Sequence, residues 1–150
     1  MQILVDEARC SGCRACELAC VARRHGRFGT AGARIRVVKI EADGIDRPLL
    51  CRQCQDAPCV AECPVGALSK SDGSGPVQFR PDACIVCPAC AAACPFAVVF
   101  FDDTTGMPLI CDLCAGDPAC VRRCVTGALS LAERTPERRG PRGETGADRV

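Results

Sequence analysis

Cys84-Ile85-Val86-Cys87-Pro88-Ala89-Cys90-Ala91-Ala92-Ala93-Cys94 is the stretch that decides how this chain folds. Three thiols at two-residue spacing must share one tight loop, too crowded for unstrained disulfide bridging. The three-residue step to Cys94 begins a helical turn that carries the fourth thiol away from the other three. The same C-x2-C-x2-C-x3-C run stands at Cys10, Cys13, Cys16 and Cys20. Two further sets keep the outline with a longer middle step: Cys51, Cys54, Cys59 and Cys63, then Cys111, Cys114, Cys120 and Cys124. Together they use all sixteen cysteines.

Spacing of this kind winds three thiolates round one iron–sulfur cube and sends the fourth to a neighbouring one, so the sets must work in pairs. Four sets imply two pairs and four 4Fe–4S clusters. Structural zinc closes with two well-separated C-x2-C pairs and has no use for another cysteine three residues on. A redox-active thiol pair needs only two cysteines in a thioredoxin-like βαβ setting, which the chain lacks.

The chain has 150 residues, 48% of them apolar, with five Phe and no Trp or Tyr. Cysteine and alanine inflate that apolar share, so the clusters are expected to serve as core and folding to be coupled to metal. The formal charge of +1 counts thiols as neutral; with sixteen thiolates and four cubes it becomes roughly −7. Nucleic acid is therefore not an expected partner. Met1 to Asp6 shows neither a basic leader nor a twin arginine, and no stretch reaches the roughly 18 apolar residues of a membrane span. The expectation is a cytoplasmic protein without a direct membrane span.

Gln2 to Val5 reads as a strand, and a helix is expected from Glu17 past Cys20 to Gly26, with Arg23, Arg24 and His25 suiting the dipole of its last turn. His25, the single histidine, reads as an exposed dipole partner. Arg34 to Glu41 with Ala42-Asp43-Gly44 predicts a hairpin that covers little. Ser71 to Pro76 reads as a solvent loop between the strand-like Ala67-Leu68-Ser69 and Val77-Gln78-Phe79. Val98 to Phe101 is expected as a strand and Asp102 to Gly106 as a turn. Beyond Leu131 periodicity stops, and a flexible tail is expected.

An internal repeat aligns Cys59 to Ser69 with Cys120 to Ser130 at Cys, Val, Cys, Gly, Ala, Leu and Ser, as two copies of one module would. Proline follows Cys63 and Cys94, and valine follows Cys20 and Cys124.

With the four sets, Cys51 to Leu68 and Gln78 to Pro95 in view, the chain resembles the four-cluster ferredoxin-like subunits of several redox enzymes. These enzymes are tungsten aldehyde oxidoreductases, formate and carbon monoxide dehydrogenases, hydrogenases and molybdopterin reductases. The resemblance covers residues 1 to about 131 and implies an α+β fold. Two ferredoxin-like modules stand in tandem, with short strands and helices wrapped around four clusters: an outer one at 1–30 plus 107–131 and an inner one at 48–106. A hairpin at 31–47 connects them, and 132–150 is the tail. It also implies crossed ligation. Cys10, Cys13, Cys16 and Cys124 would hold cluster A; Cys111, Cys114, Cys120 and Cys20 cluster B; Cys84, Cys87, Cys90 and Cys63 cluster C; and Cys51, Cys54, Cys59 and Cys94 cluster D, in the spatial order A, B, C, D.

Four-thiolate ligation leaves no open iron, so the expected role is that of a non-catalytic electron-transfer subunit. Its partners would be a larger catalytic redox subunit, best matched by the tungsten aldehyde oxidoreductase type, and a second redox partner. The latter is expected to be a flavin- or nicotinamide-dependent subunit, a ferredoxin, or another copy of the chain. The alternatives are a free polyferredoxin carrier and a structural metal-binding module. Arg14, Arg23, Arg24, Arg122 and Arg123 fall in the outer sets, while Glu62 takes the repeat place of Arg123, so clusters A and B are expected at higher potential.

Overall fold

In the computed structural model, which describes residues 1–70 and 75–133, each cysteine set is framed by a strand on one side and a short helix on the other. Strand β1 (Gln2–Val5) leads into the first set and α1 (Ala15–His25) carries its end. The helix opens at Ala15 rather than Glu17, because Arg14 stands in the left-handed region at φ 56° and breaks the loop from the helix. It closes as expected, at Gly26 (φ 62°), whose N–H donates to Ala22 O at 3.1 Å, the left-handed cap that glycine reaches without steric cost.

Strands β2 (Ile35–Ile40) and β3 (Ile45–Leu50) form the connecting hairpin. The second set leads through α2 (Pro58–Ala61) into β4 (Leu68–Lys70), which pairs with β5 (Val77–Phe79) ahead of the third set and α3 (Ala89–Ala92). A two-residue pairing of β6 (Phe100–Phe101) with β7 (Pro108–Leu109) returns the chain to the fourth set and α4 (Ala119–Arg122). Strand β8 (Leu129–Ala132) then pairs antiparallel with β1. The strand expected from Val98 begins only at Phe100, since Ala97 takes φ 50° in the turn after Cys94. Most of the Ser71–Pro76 loop and nearly all of the expected tail lie outside the described residues.

The sequence repeat has a structural counterpart. Asp6 N–H donates to Ala128 O at 2.8 Å where β1 meets β8, and Arg80 N–H donates to Ala67 O at 2.9 Å where β5 meets β4. Two cores result. One gathers Ile3, Val21, Ile35, Val37, Leu50, Leu113 and Leu129 around Cys16, Cys20 and Cys120; the other gathers Ala57, Leu68, Val77 and Ile110 around Cys90. Burying each large aliphatic side chain contributes about 1.5–3 kcal/mol. The hairpin is no thin cover: Ile35, Val37 and Leu50 are buried in the first core, because the alternating apolar positions of β2 face α1. Its second strand also runs past residue 47 to Leu50, directly against Cys51.

Candidate iron–sulfur centres

All four sets make the same backbone turn. The residue just before the second cysteine is left-handed in each: Gly12 at φ 65°, Gln53 at 52°, Val86 at 56° and Leu113 at 57°. Only one is a glycine, and side-chain-bearing residues hold this conformation where surrounding structure imposes it. The turn points an amide back at the first thiol. Gln53 N–H donates to Cys51 Sγ and Val86 N–H to Cys84 Sγ, both at 3.4 Å. Arg34 N–H donates to Cys20 Sγ at the same distance.

Two hollows follow from these loops. Cys20, Cys111, Cys114 and Cys120 line one, together with Ile3, Leu113, Arg24 and Arg34. Cys51, Cys54, Cys59 and Cys94 line the other, with Val77, Phe96, Val98 and Ile110, and Cys111 stands on its wall too. Each hollow thus takes three cysteines from one set and the last from another. Among the described residues no His, Cys, Asp or Glu group is gathered tightly enough for a single metal ion; what the cysteines frame is a larger space.

The electrostatics of both hollows suit a cationic guest. Burial, reinforced by Cys111, Cys20 and Cys114, pushes the Cys120 thiol up to about 12, and burial reinforced by Cys111, Cys59 and Cys54 does the same for Cys51. Cys59 is raised by burial and then by Cys94 and Cys54. Four thiolates so placed repel one another in an apolar wall, and a multi-iron cation reconciles them. The Nε of Arg34 adds a second sign of fit, being buried with no hydrogen-bond partner among the described residues.

Of the remaining eight cysteines, five lie at the cores, while Cys13, Cys84 and Cys87 belong to neither. Cys10 and Cys124 pack with Cys16 against the first, where burial, with Glu17 and Cys13 adding to it, lifts Cys16 to about 12. Cys63 packs with Cys90 against the second, and Cys90 is raised by burial, then by Cys87 and Cys84. Burial also opposes ionisation of Cys63 and Cys124, yet both are held below the ordinary thiol value. The amides of Leu68, Val65, Ala67 and Gly66 outweigh it for Cys63; the Thr126 hydroxyl with the amides of Leu129, Ala128 and Thr126 does so for Cys124. These cradles are the repeated G-A-L loops, with Gly66 at φ 60° and Gly127 at φ 65°. His25 is exposed and joins no cysteine group.

Three polar residues that spacing did not single out organise these loops. Gln53, 1% exposed, donates its side-chain amide to Cys111 O at 2.7 Å and accepts from Val77 N–H at 3.1 Å. Glu17, 4% exposed, accepts from Val37 N–H at 2.6 Å. Arg34 reaches Asp112 Oδ2 at 3.5 Å. In the sequence Glu17 and Arg34 stand out only as the first residues of the expected helix and hairpin, and nothing local marks Gln53.

Residues 43–134 match the family model of the 4Fe-4S dicluster domain, and the chain belongs to that family of iron–sulfur proteins. It is 43% identical over 122 residues to the polyferredoxin-like subunit of aliphatic sulfonate oxidoreductase from Pyrococcus furiosus, covering 81% of this chain and 70% of that protein. It is 40% identical over 129 residues to the beta subunit of NADH-dependent phenylglyoxylate dehydrogenase from Aromatoleum evansii, covering 85% of this chain but only 29% of that protein. The thiosulfate reductase electron transfer subunit PhsB of Salmonella typhi is 37% identical over 142 residues, covering 86% of this chain and 73% of that protein. Among solved structures, the active site complex BamBC of benzoyl coenzyme A reductase superposes with a TM-score of 0.54 at 33% identity, covering 88% of this chain and 76% of that one. No helix among the described residues is long and apolar enough to cross a membrane.

Proposed function

We propose that the chain is the electron-transfer subunit of a larger oxidoreductase, built as two tandem ferredoxin-like modules that hold four 4Fe–4S clusters with crossed ligation. When bound, each cube supplies a reversible one-electron station. The residues of this chain hold, insulate and tune those stations. The assignments are those the resemblance implies: Cys10, Cys13, Cys16 and Cys124 for A; Cys111, Cys114, Cys120 and Cys20 for B; Cys84, Cys87, Cys90 and Cys63 for C; and Cys51, Cys54, Cys59 and Cys94 for D. The mixed cysteine lining of the two hollows supports B and D directly. The placement of Cys10, Cys16 and Cys124 at one core and of Cys63 and Cys90 at the other is compatible with A and C.

Cys111 stands on the wall of the hollow lined by Cys51, Cys54, Cys59 and Cys94, which supports a place for site B beside D. The proposed spatial order is therefore A, B, D, C in preference to A, B, C, D. The longer-loop sets two and four meet at the middle, and the compact sets one and three stand at the ends.

The expectation for the potentials also narrows. Of the five arginines counted from the sequence, Arg14, Arg23, Arg122 and Arg123 are exposed, while Arg24 lines the hollow at B. At A the buried neighbour is the carboxylate of Glu17, which favours a lower potential there.

The adjoining of the B and D hollows carries this reading, because it brings two sites close enough to share a cysteine on one wall. The relatives named as subunits of sulfonate, phenylglyoxylate and thiosulfate enzymes support a catalytic subunit as partner, and the tungsten aldehyde oxidoreductase type remains the proposed one. A flavin or nicotinamide subunit, a ferredoxin or a second copy would complete the path.

Anaerobic iron analysis with a redox titration followed by electron paramagnetic resonance tests the core of the reading. The expected result is iron near four cubes per chain with reversible reduction. About eight irons or fewer in intact protein would defeat it, and metal without reversible reduction would favour a structural module. Co-purification with a catalytic subunit separates a bound subunit from a free carrier.

A further inference from the structure

We propose that Arg34 donates its Nε–H to the cluster held by Cys20, Cys111, Cys114 and Cys120, and that this contact raises the reduction potential of that cluster alone. The inference rests on the reading of those four cysteines as site B. Arg34 lines the same hollow as all four, its Nε is buried, and among the described residues that atom has no hydrogen-bond partner. A buried N–H left without an acceptor costs about 1–3 kcal/mol, and a cluster sulfur would relieve that cost.

The rest of the side chain is fixed in place. Nη1 pairs with Asp112 Oδ2 at 3.5 Å, while Asp112 Oδ1 accepts from Arg24 and, at 2.9 Å, from Cys114 N–H. The backbone N–H of Arg34 donates to Cys20 Sγ at 3.4 Å. One residue therefore addresses site B twice, and Asp112 ties its guanidinium to the loop that carries two of the ligands. A hydrogen-bond donor and a positive charge beside a cluster favour the state carrying the extra electron.

The test uses anaerobic holo-protein with wild-type iron content and assigns site B as the signal lost in Cys20→Ser. Titration of Arg34→Gln should lower the midpoint of that signal by at least a tenfold change in the reduced-to-oxidised ratio, equal to about 59 mV for one electron, with the other three unmoved. Arg34→Lys keeps the charge and loses the Nε–H, so it should fall between. Four unmoved midpoints in iron-replete Arg34→Gln overturn the proposal. If Arg34→Gln loses iron, wild-type protein with 15N-labelled guanidinium decides. Pulsed resonance of reduced site B should show a nitrogen coupling that survives Arg24→Lys and vanishes in Arg34→Lys; no coupling in wild type overturns the proposal. A wild-type protein with no signal sensitive to Cys20→Ser would instead overturn the assignment of site B.

Discussion

Gln53 donates its side-chain amide to the carbonyl oxygen of Cys111 across 2.7 Å, joining the loop of the second cysteine set to the first ligand of the fourth. The same side chain accepts from Val77 N–H at 3.1 Å, so one buried glutamine links both halves of the chain beside Cys111, which lines both cysteine-rich hollows.

Gln53→Ala leaves one buried and one part-buried backbone group without their partner, at about 1–3 kcal/mol for a fully buried one. Holo-protein should lose on the order of 2–5 kcal/mol in denaturant unfolding while keeping its iron. A variant with an unchanged midpoint would show that the two halves do not rely on this link.

Crossed ligation predicts which cluster each cysteine disturbs. Cys124→Ser should alter the signal of the cluster held by Cys10, Cys13 and Cys16, and Cys94→Ser that of the cluster held by Cys51, Cys54 and Cys59. Spectra in which Cys124→Ser perturbs the Cys111 cluster and spares the Cys10 cluster would refute the pairing.

Glu17 ties α1 to the hairpin. Val37 turns its N–H to Glu17 Oε1 at 2.6 Å and its C=O to Arg14 Nη2 at 3.4 Å, and its cross-strand neighbour is Pro48. Glu17→Ala should destabilise the protein by about 2 kcal/mol, since the Val37 amide is left buried and unpaired. Glu17→Gln keeps an acceptor and should cost less than half as much by the same thermal measurement.

Gly12 is held by two constraints. Its φ is 65°, and a Cβ there would collide with the Asp46 carboxylate. Gly12→Ala should lower stability by about 1–3 kcal/mol, and adding Asp46→Ala should recover part of that loss, because the collision disappears while the backbone strain stays. Equal stabilities for the single and double variants would assign the whole cost to φ.

Removing iron tests whether the clusters complete the cores. Cys16, Cys20, Cys90 and Cys120 are buried within them, and the three helices other than α1 and the four strand pairs leave little regular structure to stand unaided: α2, α3 and α4 have four residues each. Chelation under anaerobic conditions should abolish most far-ultraviolet ellipticity and restore it on reconstitution; a native-like apo spectrum would contradict this.

The cysteine spacings by themselves determined the four loops and the helical turns that start at or next to the third cysteine of each set, at Cys16, Cys59, Cys90 and Cys120, because each of these is a matter of a few covalently adjacent residues. The repeat likewise determined the two G-A-L cradles around Cys63 and Cys124. Only the tertiary structure decided that Cys111 lies against the Cys51 set, that the hairpin enters the first core, and that Arg34 rather than Arg23, Arg122 or Arg123 lines a cysteine-rich hollow. Gln53 and Cys111 are 58 residues apart in sequence. No local propensity encodes such a contact: it exists because two loops, each shaped by its own thiols, pack on either side of one buried amide.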